Sequence, residues 1–284
     1  MKKTSVIVLV KNRKRHLRNL LRGIHRLNAS AVETVIVHMN EAAQPPPDFF
    51  TGKYTTAEVW NSTAQLPLAE ARNQGAKTAR GDRLIFLDVD CIPAKNALTD
   101  YSRAFDVAPD AIAMGAVYYL STQLPESWDE SDLVIQGRPH PVRTYPETGM
   151  LQPTEDYHLF WSLNFGLRKS VWDEISGFDE RFQGYGAEDT DFSFSAKERG
   201  VCLAWLGGGT VFHQYPDQYS PPLQHFKDIV RNAEVFYHKR HWWPMENWLQ
   251  QFAAAGYIEW SSAASTIGIL LEPTDDAIAA AHRA

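Results

Sequence analysis

Apolar residues recur along this chain in two alternating rhythms, short β-branched runs and longer stripes spaced three and four apart. "TSVIVLV", Thr4 to Val10, is a run suited to a strand buried on both faces. In "HLRNLLRGIHRL", Leu17, Leu20, Leu21, Ile24 and Leu27 form one helical stripe, and "ETVIVHM" predicts a second strand. The rhythm returns in "LPLAEARNQGAKTARGDRLIFLDVDCIP": a helix from about Leu68 to Ala79, a Gly81-Asp82 turn, then the strand "RLIFLDV". "AIAMGAVYYL" predicts a further strand. Such alternation predicts an α/β fold, a mostly parallel sheet flanked by helices. Ligands of these folds gather at the carboxyl ends of strands, where Asp88 and Asp90 lie.

From Ser121 to Tyr157 the periodicity fades, and Pro125, Pro139, Pro141, Pro146 and Pro153 punctuate a polar segment. Connections of this length often bind or cover something, so an active-site flap or substrate-facing excursion is expected, with a disordered insertion as the alternative. Order resumes with the strand "LFWSLNFGL", the helix "RKSVWDEISG" closed by Gly177, and a loop leading to a helix that ends near Gly200. "VCLAWLG" and "GTVFHQY" predict strands. Two helices follow, roughly Leu223 to His238 and Met245 to Ala254, with Trp242, Trp243, Trp248 and Trp260 around them. "EPTDDAIAAAHRA" reads as a terminal helix or tail. No linker divides the chain, which is read as a domain over residues 1–220 with a helical C-terminal extension over 221–284.

Charge narrows the partners. The 28 Lys and Arg against 34 Asp and Glu give a net charge of -6, and "KNRKRHLR" is the one basic block, so nucleic acid is not an expected partner. Cys91 and Cys202 lack metal-ligand spacing and point to a reducing compartment, with one disulfide left open. The apolar run near the start is too short for a signal peptide, and no window approaches the roughly 20 apolar residues of a membrane span. A cytoplasmic protein is expected, with peripheral contact at the inner face of a membrane as the association the sequence allows. "HWWPMENWLQQF" could be such a contact or an acceptor wall; helix packing is the preferred reading.

Three motifs carry candidate chemistry. Asp88 and Asp90 in "LDVD" would point to opposite faces of a continuing strand, so a bend is needed for both to reach one ion. Carboxylates suit Mg²⁺ or Mn²⁺, which suit phosphates; turn capping is the alternative. His213, after "GGGTVF", could complete an oxygen and nitrogen shell with Asp90 or pack structurally. Lys11 and Arg13 directly follow the first strand and could meet phosphates or begin a solvated helix.

The third motif is "GYGAEDTDFSF". Gly184 and Gly186 permit a tight turn around Tyr185, presenting a helix that begins near Glu188 and whose free N–H groups favour negative charge. Capping is the alternative, and it suits Asp191 or Glu188 singly better than it explains the whole cluster. On a helix Glu188 and Asp191 share a face while Asp189 is displaced by about 100°. Glu188 is read as accepting hydrogen bonds from a sugar, Asp189 as taking the proton of an attacking hydroxyl, and Asp191 as a support. Tyr185 can stack on a sugar face.

The segments "TSVIVLVKNR", "LAEARNQGAKTARGDRLIFLDVDCIP" and "SLNFGLRKSVWDEISGFDERFQGYGAEDTDF" resemble, in order, inverting nucleotide-sugar glycosyltransferases of the GT-A fold, glycosyltransferase family 2. The third segment with the later "VFHQ" also resembles the C-terminal part of β-1,4-galactosyltransferases and, more distantly, polypeptide N-acetylgalactosaminyltransferases. Together the motifs run from about residue 4 to 215. The resemblance implies a nucleotide-sugar-binding half over residues 1–120 and an acceptor and catalytic half over 155–220. It implies Asp90 as the chief ligand of Mn²⁺ or Mg²⁺, His213 as another, and Asp88 near the ribose or metal shell. Lys11, Arg13, Arg72 and Asn73 would shape the nucleotide-sugar site. Asp189 would match the base, with Glu188, Tyr185, Asp191 and Trp161 on the acceptor side.

Two departures stand out. Tyr185 occupies the place of a galactosyltransferase tryptophan, and the galactosyltransferase cysteine pattern and N-terminal anchor are absent. At the second strand's end, where the family often carries an acid, the chain offers His38, Asn40 and Glu41. The implied activity is metal-dependent, inverting transfer of a hexose or N-acetylhexosamine from a UDP-linked donor to a hydroxyl of a glycan or glycoconjugate, as in polysaccharide biosynthesis. The alternatives are a retaining transferase of the same fold, a nucleotidyltransferase, and a non-catalytic carbohydrate-binding protein.

Overall fold

In the computed structural model, which describes residues 3–27, 32–62, 65–215 and 218–283, β1 (Thr4–Val10) divides the interior in two. Its residues alternate between faces. Ile7 and Leu9 join one core with Val35, Val37, Ala71 and Phe86, while Val6, Val8 and Val10 join the other with Leu17, Leu20 and Leu21. A strand covered on both faces has no place for polar alternation, which is why it reads as a continuous apolar run.

After β1 come α1 (Lys14–Arg26), β2 (Val32–Met39), β3 (Lys53–Val59), α2 (Leu68–Thr78), β4 (Arg83–Asp88), β5 (Cys91–Pro93) and α3 (Ala97–Val107). β6 (Ala111–Met114) and β7 (Val117–Leu120) lead to α4 (Glu130–Gln136), β8 (Gly137–Pro139) and β9 (Leu151–Thr154). Then follow β10 (Asn164–Arg168), α5 (Lys169–Ile175), α6 (Glu188–Glu198), β11 (Cys202–Leu206) and β12 (Val211–His213). The chain finishes with β13 (Gln218–Tyr219), α7 (Phe226–Arg240), α8 (Glu246–Ala254), β14 (Ile258–Glu259), β15 (Gly268–Ile269), α9 (Asp275–Ala280) and β16 (His282–Arg283).

The main sheet has the order β3-β2-β1-β4-β10-β6-β11-β9. β1 to β4 are mutually parallel where they pair, whereas β10 runs antiparallel to both β4 and β6. A second sheet, β5-β12-β7-β8, stands at the strand ends. The fold is therefore mixed α/β, with a large, mostly parallel sheet flanked by helices, as the periodicity predicts.

Three elements differ from expectation. β3 is absent from the sequence reading because "KYTTAEV" is an edge strand, exposed or half-buried up to Val59, with no apolar run to reveal it. "AIAMGAVYYL" is not one strand: it breaks at Gly115 and Ala116, so β6 joins the main sheet and β7 the second. At Gly115 a Cβ would come within 2.5 Å of Asn164 Nδ2 and the Gly209 carbonyl, so the close approach there excludes a side chain. In "LFWSLNFGL" only the part from Asn164 onward is extended in the sheet. The 121–157 segment folds as α4, β8 and β9; Trp128, 2% exposed, anchors it by donating to Asn19 at 3.0 Å. Cys91 is buried, Cys202 is exposed, and both are free thiols.

The C-terminal helices have a core of their own around Phe226, Ile229, Leu249 and Phe252. They are also bound tightly to the preceding loop. Asn232, fully buried, donates to the carbonyls of Gln183, Tyr185 and Gly186 at 3.0, 3.3 and 3.0 Å. Among the described residues no helix is long and apolar enough to cross a membrane.

Candidate active site

β4 ends at Asp88, and the chain turns through Val89 and Asp90 before β5. This is the bend that two acids spaced one residue apart require. The Gln214 N–H donates to the Asp90 carbonyl at 2.8 Å, which ties this turn to the end of β12 and brings His213 beside it. His213 Nε2 stands 3.4 Å from Asp90 Oδ1, and Arg13 Nη1 is 2.7 Å from Asp90 Oδ2. Burial opposes charge on Asp90, but His213, Arg13 and His16 outweigh it and hold the carboxyl below its ordinary range.

The donor set fits a divalent cation in part. His213 Nδ1 lies 2.9 Å from the Gln214 carbonyl, an acceptor only, so Nδ1 carries a proton and Nε2 is the nitrogen that faces Asp90. Among the described residues no group of three His, Cys, Asp or Glu converges for a metal. Asp88 Oδ1 instead faces Arg72 Nη2 at 3.5 Å. A divalent cation held by Asp90 and His213 alone would draw its other ligands from phosphate and water oxygens, as is usual for Mg²⁺ in phosphate sites.

Arg72 joins the two acidic motifs. It is 2% exposed, its Nη1 lies 3.3 Å from Glu188 Oε1, and its guanidinium stands over the Phe178 ring at 5.0 Å. Asn73, next to it on α2, does not join the site. Its amide donates to the Phe178 carbonyl at 2.9 Å and to Glu180, and its oxygen accepts the Phe178 N–H. It shapes the site by pinning α2 to the loop after α5. Lys11 donates to the Asn40 carbonyl, tying the ends of β1 and β2. Between those ends opens a cavity of about 210 Å³ lined by Val10, Arg13, Leu17, His38, Glu41 and Gln44. His38 Nδ1 is 3.0 Å from Glu41 Oε1, and Glu41 also accepts the Asn12 N–H.

The turn before α6 has the predicted form, with positive φ at Gly184 (70°) and Gly186 (107°). Ala187 also lies in the left-handed region at 69°, a conformation that strains a residue with a Cβ and is held here by its surroundings. Glu188 accepts the Gly186 N–H at 3.2 Å, and Asp189 Oδ1 accepts the Thr190 N–H at 2.7 Å. The capping reading therefore holds in part, and it orients both carboxylates. Burial, reinforced by the Asp189 charge, pushes Glu188 up to about 7 against the pull of Arg72. Burial raises Asp189 as well.

Asp191 departs from the expected acceptor-side role. It is 1% exposed, with Oδ1 2.7 Å from Arg240 Nε and Oδ2 2.8 Å from Lys239 Nζ, and it clamps α6 to α7. Its reading as a support stands; no surface remains for an acceptor. Tyr185 is 40% exposed and stacks on His225 at 4.5 Å, with Trp248 at 5.9 Å, so the C-terminal helices contribute to this wall.

The 121–157 segment brings residues the sequence reading missed. Arg143 lies 3.7 Å over the Trp161 ring, Trp161 meets His140 at 4.9 Å, and Tyr119 stands between His140 and His213. No motif marks Arg143, His140 or Tyr119; only the folded segment assembles them.

A mostly parallel α/β sheet with carboxylates, a histidine and cations at its strand ends defines a protein that handles phosphorylated small molecules. The chain belongs to a particular family of such proteins: the model for "Glycosyl transferase family 2" matches residues 5–176. The match stops before Glu188. Chondroitin synthase from Pasteurella multocida (strain Pm70) is 23% identical over 171 residues, 52% of this chain and 18% of that protein. Validoxylamine A glucosyltransferase from Streptomyces hygroscopicus subsp. jinggangensis (strain 5008) is 26% identical over 152 residues, 47% of this chain and 36% of that protein. The matches thus span a minor part of these relatives' length.

The fold is that of S. aureus TarS 1-349, a structure also determined with UDP-GlcNAc: TM-score 0.54 and 0.53, 16% identity, 81% of this chain, and 64% and 65% of that one. It is also that of GalNAc-T7 with UDP, GalNAc and Mn²⁺: TM-score 0.53, 15% identity, 76% of this chain and 43% of that one. The likeness to β-1,4-galactosyltransferases gains no support from these matches and remains one of motifs.

Proposed function

We propose that the protein is an inverting, metal-dependent glycosyltransferase that moves a hexose or N-acetylhexosamine from a UDP-sugar to a hydroxyl of a glycan or glycoconjugate. The observation that carries this reading is the meeting of Asp88 and Glu188 on one guanidinium, with Asp90 and His213 beside them, so that phosphate-handling and hydroxyl-activating groups share one cleft. The UDP-bound TarS and GalNAc-T7 structures are consistent with the donor class.

Arg13 and the β1-β2 cavity receive the nucleotide. Asp90 and His213 hold the divalent cation, which when bound stabilises charge on the leaving diphosphate. Asp189, its carboxyl oriented by Thr190, takes the proton from the acceptor hydroxyl as that oxygen attacks the anomeric carbon from the face opposite the diphosphate. Inversion follows from the single displacement. Glu188 accepts hydrogen bonds from the acceptor, and Tyr185 stacks on it.

The test is nucleotide diphosphate release from a donor panel with Mn²⁺, for the parent and Asp189→Asn. Loss of a general base lowers the rate by about 10²–10⁴-fold while UDP binding persists. Equal release with a true acceptor would remove Asp189 from the role, and a product of retained anomeric configuration would overturn the inverting mechanism.

A further inference from the structure

Arg143 is a buried cation without a counter-ion. It is 5% exposed, and among the described residues no carboxylate lies within 4.0 Å of it. Buried Arg72 and Arg83 and the covered Arg240 each have a carboxylate partner. An arginine cannot shed its proton to escape the cost of burial, as a lysine or a carboxylic acid can. What Arg143 has instead is incomplete. Its partners are neutral: Nη2 donates to the Leu159 carbonyl at 2.8 Å, the side chain also hydrogen-bonds Tyr145, the Trp161 and Trp205 rings stand 3.7 and 5.4 Å from Cζ, and Nε has no partner.

Its position gives the missing charge a source. Trp161, His140, Tyr119 and His213 form a continuous line of ring contacts from Arg143 to the Asp90 turn. The Asp88 N–H donates to the Leu163 carbonyl at 3.0 Å, which sets the segment bearing Trp161 beside the same turn. Arg143 also lowers the proton affinity of Asp189, so its field reaches the other side of the cleft. It lies within electrostatic reach both of Asp189 and of Tyr119, whose ring packs on His213 at 4.9 Å. Trp161 stands 3.7 Å from Cζ, and the planar fork of an arginine pairs with a flat, two-oxygen carboxylate through two parallel N–H donors.

We infer that Arg143 recognises the carboxylate of a uronic-acid residue bound between Asp189 and His213, carried either by the donor sugar or by the acceptor terminus. This rests on the transferase reading above. Substrates bearing that carboxylate supply the counter-ion, whereas their neutral twins leave the cation unpaired.

The experiment is equilibrium binding to the whole chain with Mn²⁺ present. One arm compares UDP-glucuronate with UDP-glucose. The other compares a glucuronate-terminated with a glucose-terminated oligosaccharide in the presence of UDP. The expected result is about 10-fold or tighter binding of the charged twin in one arm, since a charge-assisted pair is at stake. Arg143→Gln should erase that preference and leave UDP affinity unchanged. Arg143→Lys, which keeps the charge and guards against a folding defect, should retain part of it. Equal binding of both twins in both arms, or a preference that survives Arg143→Gln, overturns the inference. Failure of UDP itself to bind overturns the transferase reading instead.

Discussion

Arg72 holds Asp88 with one guanidinium nitrogen and Glu188 with the other, at 3.5 and 3.3 Å. A single buried cation thereby sets the distance between the acid that ends β4 and the acid that begins α6. Arg72→Met leaves Glu188 buried without its partner and removes the tie between the two motifs. We expect a loss of about 3 kcal/mol in unfolding free energy by urea titration, and turnover reduced by more than the stability loss explains. Full activity in the folded variant would show the bridge to be dispensable.

Glu188 supplies a pH signature. Its carboxyl, raised from 4.5 to about 7, stays protonated in the folded state where the unfolded chain has released the proton. The folded state then binds more protons, so this contribution is full below pH 4.5 and is lost as pH rises through about 7. Glu188→Gln removes the titration. The parent's unfolding free energy minus the variant's should fall across that window; a flat difference would return Glu188 to the ordinary carboxylate range.

The helix α7 builds the turn that bears Tyr185. Besides the Asn232 contacts, Asp228 Oδ2 accepts the Tyr185 N–H at 3.3 Å. Asn232→Ala leaves buried carbonyls short of a donor and should cost about 2 kcal/mol. Because the cavity proposed for the nucleotide lies between β1 and β2, kcat should drop while UDP affinity holds. Calorimetry and steady-state rates separate the two, and an equal loss in both would refute the local role.

Chelation tests the Asp90 and His213 pair. UDP affinity measured by calorimetry should fall on adding EDTA and recover with Mn²⁺. In the double variant Asp90→Ala, His213→Ala, EDTA should make no difference. Metal-stimulated UDP binding that persists in the double variant would show that the ion is held elsewhere.

Much of the fold follows from local pattern. The β1 run, the α1 stripe, the glycines around Tyr185 and the acids of "LDVD" and "GYGAED" are legible because strand burial, helical period, positive φ and strand-end position each impose residue types on neighbouring positions. The edge strand β3 leaves no apolar run, and the break at Gly115 depends on Asn164 and Gly209, which are distant in sequence.

The roles of individual polar side chains depended on tertiary packing. Asn73 and Asp191 belong to motifs yet spend their polar atoms on Phe178 and Glu180, and on Lys239 and Arg240. Arg143 belongs to no motif and stands over the Trp161 ring. The sequence by itself determined the alternation of elements and the kinds of group at the strand ends. Only the tertiary structure decided which of those groups meet, because a buried charge takes its partner from whatever distant segment the packing places against it.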